Sequence, residues 1–393
     1  MTISDISRLH PGVVFRTSKR SLFKSNNSTN STNSTFKSNI FPNQLLFGND
    51  IYNKFLDRSV HSILALALTQ SGKTGAMIAV IKAFLHSDVM PLPIQHVFII
   101  TGHSSTEWLQ QTKERFPLSL ANNIFHRNTL HTFSKRITGL TNVLILIDET
   151  QVACLQSQSI QSSLLNAGIT TDKLFSMDIK FVLVSATPNS CIKRFVPLAP
   201  GHAIVYMKPA PGYTSIFKLY RKGLVFQCKD LCGFDKKTGN FLPFALDNIR
   251  EIKIGSIPKY HIIRTHHSFM HTKTIENFKI VFGSSCRFLS MPDLDSLLCI
   301  PPSKHTFIFI KETLRCAKTI FKDYLGVLYD RFANRMNDSS VIQGLAGRAT
   351  GYHSVNITVF TNIPSIVKYH SLWKHSFNPD LLWNSTSKLP WAF

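Results

Sequence analysis

Short apolar runs recur between amphipathic stretches from residue 41 onward. Residues 63–68, 94–101, 143–147 and 180–184 are β-branched or leucine-rich, with the length and character of strands buried on both faces of a parallel sheet. Between them, residues 74–86 and 104–116 place apolar positions at helical spacing. Strand, helix and strand in succession predict a right-handed parallel α/β sheet. A second series follows, with strands at 260–264, 306–310 and 355–360 and helices at 272–282, 314–325 and 365–373. Two α/β lobes are therefore expected, over 41–209 and 256–393. Residues 210–255, irregular and rich in Gly, Lys and aromatics, read as a bridging insert.

Length and composition agree with two domains, since the chain has 393 residues, 44% hydrophobic and 17% charged. The first 40 residues differ from the rest. The run SNNSTNSTNSTFKS at 25–38 cannot bury enough apolar surface to offset its ordering entropy. Arg8, Arg16, Lys19, Arg20, Lys24 and Lys37 stand against Asp5 alone, so a disordered basic tail is expected, either a nucleic-acid-touching arm or a solvated segment.

The net charge of +22 favours a polyanionic partner, most simply nucleic acid, with a membrane surface as the other fit. No apolar run approaches the roughly 18–20 residues that span a bilayer, and MTISDISRLH lacks the apolar core of a secretory signal. No membrane association and an intracellular compartment are expected. Seven cysteines, an odd number, read as free thiols. Cys228 and Cys232, followed by His261, His266, His267 and His271, allow a loose zinc reading beside a packing one. The 30 phenylalanines, with abundant Asn and Lys, suit an AT-rich genome and a virus or mobile element.

The chemistry begins at ALTQSGKT, residues 67–74, between a strand and a helix. This is the setting of a phosphate-binding loop: backbone N–H groups of Ser71 and Gly72 and the helix N-terminus face the anion, Lys73 reaches the terminal phosphates of ATP, and the Thr74 hydroxyl coordinates Mg²⁺. Ala67 stands where the pattern has its first Gly. Next, NVLILIDETQ at 142–151 is an apolar strand ending in two adjacent carboxylates, at the strand end where α/β sheets bind ligands. Asp148 either holds Mg²⁺ or caps a following helix, and Glu149 is placed to orient and deprotonate an attacking water.

ALTQSGKT, IDETQ and VSATP at 184–188 resemble motifs I, II and III of superfamily 2 helicases, in the right order. IQGLAGRATGY at 342–352 is similar to motif VI, and FIFIKETLRCAK at 307–318 looks like the first strand and helix of the second RecA-like domain, around motif IV. The resemblance implies two RecA-like parallel-sheet domains in tandem, of the P-loop NTPase class, with ATP and Mg²⁺ between them. It assigns Ser185, Thr187 and Gln343 to coupling hydrolysis to strand movement and Arg348 to the γ-phosphate. Thr101, Gly102 and His103 look like motif Ia, which grips nucleic-acid phosphates. Gln44 in FPNQ reads either as an adenine-contacting Q-motif glutamine or as a loop polar residue.

Departures from the pattern are specific. Gln70 stands where the loop usually has Gly, Gln343 is one residue farther from Gly347 and Arg348 than usual, and Gly351 takes the place of the second motif VI Arg. Arg315 and Arg335 are candidate replacements, motif V is not recognisable between residues 325 and 340, and Gln151 makes the box DExQ. Trp108 reads as a base-stacking or a core residue. Residues 208–259 carry ten Lys and Arg against four acids, interleaved with Tyr213, Phe217, Tyr220 and Phe226, a composition that suits a nucleic-acid groove or a solvated basic face. The expected activity is an ATP-dependent helicase or translocase, with DNA favoured over RNA. The alternatives are a nucleotide-switched binding protein and a motor subunit active only in a replication or nuclease complex.

Overall fold

The computed structural model describes residues 40–104, 106–150, 159–188, 201–235, 237–311, 319–334, 337–353, 355–378 and 381. The expected tail, Gln151, Arg315 and Arg335 lie outside these residues. Two six-stranded sheets result, every strand parallel to its neighbours. The first is ordered β3-β2-β4-β5-β1-β6, from β1 (Ser62–Ala67), β2 (Val97–Thr101), β3 (Ile124–Phe125), β4 (Val143–Asp148), β5 (Ile179–Ser185) and β6 (His202–Met207). The second is ordered β7-β12-β11-β8-β10-β9, from β7 (Val225–Gln227), β8 (Tyr260–Arg264), β9 (Arg287–Ser290), β10 (Thr306–Ile310), β11 (Leu325–Tyr329) and β12 (Thr358–Thr361).

The central strands β1, β2, β4 and β5 are buried at every position, which is why their sequences are continuous apolar runs. Alternate residues serve opposite faces. Ile63, Ala65 and Ala67 of β1 join one core with α1 (Pro42–Phe55) and α2 (Lys73–Leu85), while Leu64 and Leu66 join another. That second core is continuous across the lobes, running from Leu64, Leu66 and Ile145 to Ile262, Ile308 and Leu328. Gly48 lets α1 lie directly on α2, because a Cβ there would stand 2.7 Å from the Ala79 carbonyl carbon.

Four expectations need correction. Residues 94–96 form a single 3₁₀ turn after Pro93, so β2 starts only at Val97. The segment read as a bridge supplies β7, which pairs with β12 inside the second sheet. The run at 307–310 is not the first strand of the second lobe, since β7, β8 and β9 precede it and β8 separates it from β11. The helix expected over 314–325 is absent from residues 319–324, where the chain turns into β11.

Two histidines are enclosed in these sheets. Burial, with His305 and Lys259 adding to it, draws the His261 imidazole down to about 3 from its ordinary 6.5, and burial beside His202 draws His61 down to about 4. The unfolded chain therefore takes up these protons first as pH falls, so stability is full above about pH 6.5 and is lost toward pH 3–4. For His261 the loss between pH 7 and pH 5 is expected to be roughly 2 kcal/mol. Urea unfolding at the two pH values measures it, and His261→Phe is expected to shrink the difference; an equal difference in the variant would assign the acid sensitivity elsewhere.

Candidate functional site

The loop at 67–74 leaves the carboxyl end of β1 and opens α2, and Gly72 supports its turn at φ +100°. Gln70 takes φ +52°, the left-handed region that the usual Gly enters freely and that costs another residue about 1 kcal/mol. The Ser71 amide and hydroxyl both donate to Leu68 O, at 3.2 and 2.7 Å, so these two groups close the loop on itself rather than face an anion. Gln44 is not in a loop. It lies buried in the first turn of α1, with Oε1 accepting from Phe41 N at 2.9 Å and Nε2 donating to Gly72 O at 3.0 Å. A Cβ on Gly75 would come within 2.4 Å of Gln44 Oε1, so the glycine after Thr74 makes room for this brace.

Asp148 and Glu149 end β4 at the same edge. Asp148 Oδ1 accepts from Glu149 N at 3.0 Å and Oδ2 from Trp108 Nε1 at 3.1 Å. Burial first, and Glu149 second, raise the Asp148 carboxyl above its ordinary range, while Lys73 and the Trp108 hydrogen bond oppose them. Glu149, itself at φ +51°, turns its buried carboxylate into the space between the lobes. Lys73 Nζ stands 3.4 Å from Oε1, and Gln343 Nε2 donates to Oε2 at 2.9 Å. The same Gln343 nitrogen donates to Thr187 Oγ1 at 2.8 Å, and Thr187 N donates to Ser185 Oγ at 3.0 Å. The end of β4, the segment after β5 and the second lobe thus meet on one amide.

The remaining groups of the second lobe close around the loop. Tyr213 OH donates to Thr69 O at 2.6 Å, and the Thr350 hydroxyl lies 2.9 Å from the same oxygen. Tyr369 OH donates to Ala186 O at 2.8 Å. Lys322 Nζ donates to Gln70 Oε1 at 2.6 Å. Arg348 is buried on the helix Leu345–Arg348, where a Cβ on Gly347 would come within 3.3 Å of Thr69 Cγ2. A buried ion pair, Arg264 to Asp330 at 2.7 Å, lies beneath Gly344, at which a Cβ would be 2.8 Å from Arg264 Nη1.

Several expected residues are placed differently. Thr101 is wholly buried and its hydroxyl donates to Asp148 O at 3.1 Å, and Gly102 is buried beside it, so neither is presented to a phosphate backbone. His103 is near enough to Glu149 and Arg348 to feel both charges, and burial lowers its pKa. Trp108 is held in the core by Asp148 rather than offered to a base, and Tyr213 serves the loop rather than a groove. Cys228 and Cys232 are buried thiols, while His261 hydrogen-bonds to His305 and His271 sits between Thr265 and Ser290. No group of three metal-ligating side chains converges among the described residues, and no helix among them is long and apolar enough to cross a membrane.

Two parallel-sheet lobes that meet at an acidic strand end and a cross-lobe glutamine constitute a tandem RecA-like fold. The Escherichia coli DEAH/RHA helicase HrpB shares it at a TM-score of 0.51 and 14% identity, over 86% of this chain. This chain spans 44% of that one, less than half its length. The DEAD-box helicase Mss116, bound to ssRNA and UDP-BeF, shares it at a TM-score of 0.51 and 12% identity, over 89% of this chain and 75% of its own. In sequence the chain is similar to uncharacterized protein L594 of Acanthamoeba polyphaga mimivirus, 24% identical over 351 residues that cover 83% of this chain and 84% of that one. No family model matches.

Gln44→Ala removes both brace hydrogen bonds, each contributing about 1 kcal/mol. The expected outcome is a loss of about 2 kcal/mol in urea unfolding; an unchanged midpoint would show that the loop is held by its backbone alone.

Proposed function

We propose that this chain is an ATP-dependent nucleic-acid motor, a helicase or translocase that hydrolyses ATP between its two lobes. The observation that carries the reading is the Glu149 carboxylate, shared between Lys73 of the first lobe and Gln343 of the second. A buried carboxylate at the end of a central strand, beside a phosphate loop, is placed to orient a water in line with the terminal phosphorus and to take its proton. The electron pair of the breaking P–O bond leaves with ADP. Lys73 and the Gly72 amide bind the phosphates, and Arg348 brings positive charge from the other side of the cleft. Gln343 links Glu149 to Thr187 and Ser185, so that a change at the carboxylate is felt at β5 and in the second lobe.

The donor set fits Mg²⁺. Two buried carboxylates stand side by side next to one ammonium, and the Thr74 hydroxyl and Asp148 carboxylate are the hard oxygen donors this ion takes. These two residues would hold it, and the ion would neutralise charge on the phosphates. The track is a polynucleotide, as the +22 charge suggests, and DNA is the expected one. The mimivirus relative supports a viral origin.

Phosphate release by the purified protein, alone and with single-stranded DNA, duplex DNA or RNA, tests this reading beside Lys73→Ala and Glu149→Gln. We expect a polymer to stimulate turnover and Glu149→Gln to lower it by about 10²–10⁴-fold. ATP binding without any polymer-stimulated hydrolysis would replace the motor by a nucleotide switch.

A further inference from the structure

Lys322 leaves the second lobe on the turn before β11 and reaches across the cleft into the phosphate loop. Its Nζ donates to Gln70 Oε1 at 2.6 Å and to Thr350 O, both neutral oxygens. Gln70 is held at φ +52° with its Nε2 buried and with no hydrogen-bond partner among the described residues. Burial draws the Lys322 ammonium down to about 7, and Arg348 adds to the shift. Two cations from one lobe are therefore gathered in a poorly solvated space against the loop that carries Lys73. An anion bound there would stabilise the charged form of Lys322.

Gly351 identifies the space that Lys322 fills. At φ +114°, a Cβ on this residue would stand 3.4 Å from Lys322 Nζ and 3.5 Å from Gln70 Cβ. A side chain growing from position 351 would run into the volume that the ammonium occupies. The motif VI resemblance expects an arginine at that position; this chain has a glycine there and a positive charge arriving from a different element.

We propose that Lys322 is the second cation the distal lobe supplies to the phosphate loop, contacting the terminal phosphate of a bound nucleoside triphosphate in place of an arginine at 351. The proposal rests on the nucleotide-hydrolysis reading and adds to it a residue outside the motifs. The competing structural role, in which Lys322 only ties Gln70 to Thr350, would affect triphosphate and diphosphate alike.

Equilibrium binding of ATP and of ADP, with single-turnover hydrolysis, separates the two roles in the full chain. In Lys322→Gln and Lys322→Met we expect ATP affinity to fall about tenfold more than ADP affinity and hydrolysis to slow by at least about 10²-fold. Lys322→Arg is expected to keep the ATP preference and most of the rate. Equal changes for both nucleotides in Lys322→Gln, or an unaltered rate, would overturn the proposal while leaving hydrolysis by the unsubstituted chain intact. Failure of the unsubstituted chain to bind ATP would instead remove the underlying reading and this proposal with it.

Discussion

A single buried carboxylate sets the relation between the two lobes. Glu149 is almost fully withdrawn from water, and a charge so placed is costly unless its oxygens are engaged. One oxygen faces Lys73 from its own lobe and the other accepts from Gln343 of the second. Removing one partner of such a buried charge costs about 3–5 kcal/mol, far more than a surface pair. The register between the lobes is therefore fixed where phosphate chemistry is expected, and the second lobe completes the environment of the glutamate.

Neutral hydrogen bonds surround that charge and give it direction. Tyr213 and Thr350 reach Thr69 O in the loop, and Tyr369 reaches Ala186 O in the segment after β5. Each contributes only about 1 kcal/mol, but all of them join the second lobe to the 67–74 loop or to the segment after β5. On the far side of the strand end, Trp108 and Thr101 fix Asp148 by its side chain and backbone. The acidic pair is thus held on one side by its own lobe and on the other by the partner lobe.

Much of this was legible in the sequence, and the misses have physical causes. The strands 143–148 and 179–185 are read from apolar runs because a parallel sheet buries both their faces. The loop, the acidic pair and Gln343 carry local patterns that survive folding. Trp108 and Lys322 carry none, since each acts on a residue 40 or 252 positions away in the chain. β3 is two residues long and has no periodicity to detect. Two signals were present and outweighed. Pro42 at the start of α1, with Phe47, Ile51 and Phe55 at helical spacing, marks a helix that neither reading of Gln44 in FPNQ took into account. LGVLYD at 325–330 repeats the form of VLILID at 143–148, an apolar strand closed by an acid that the fold also buries.

The apolar core that runs unbroken from β1 and β4 into β8, β10 and β11 limits how the molecule can move. Swinging the lobes wide apart would wet that shared face, at about 25 cal/mol for every Å² uncovered. Small sliding of packed elements past one another keeps it dry. Relative movement of the lobes would be a short glide along a greased seam, with the hydrogen bonds at its rim exchanging partners while the seam itself stays shut.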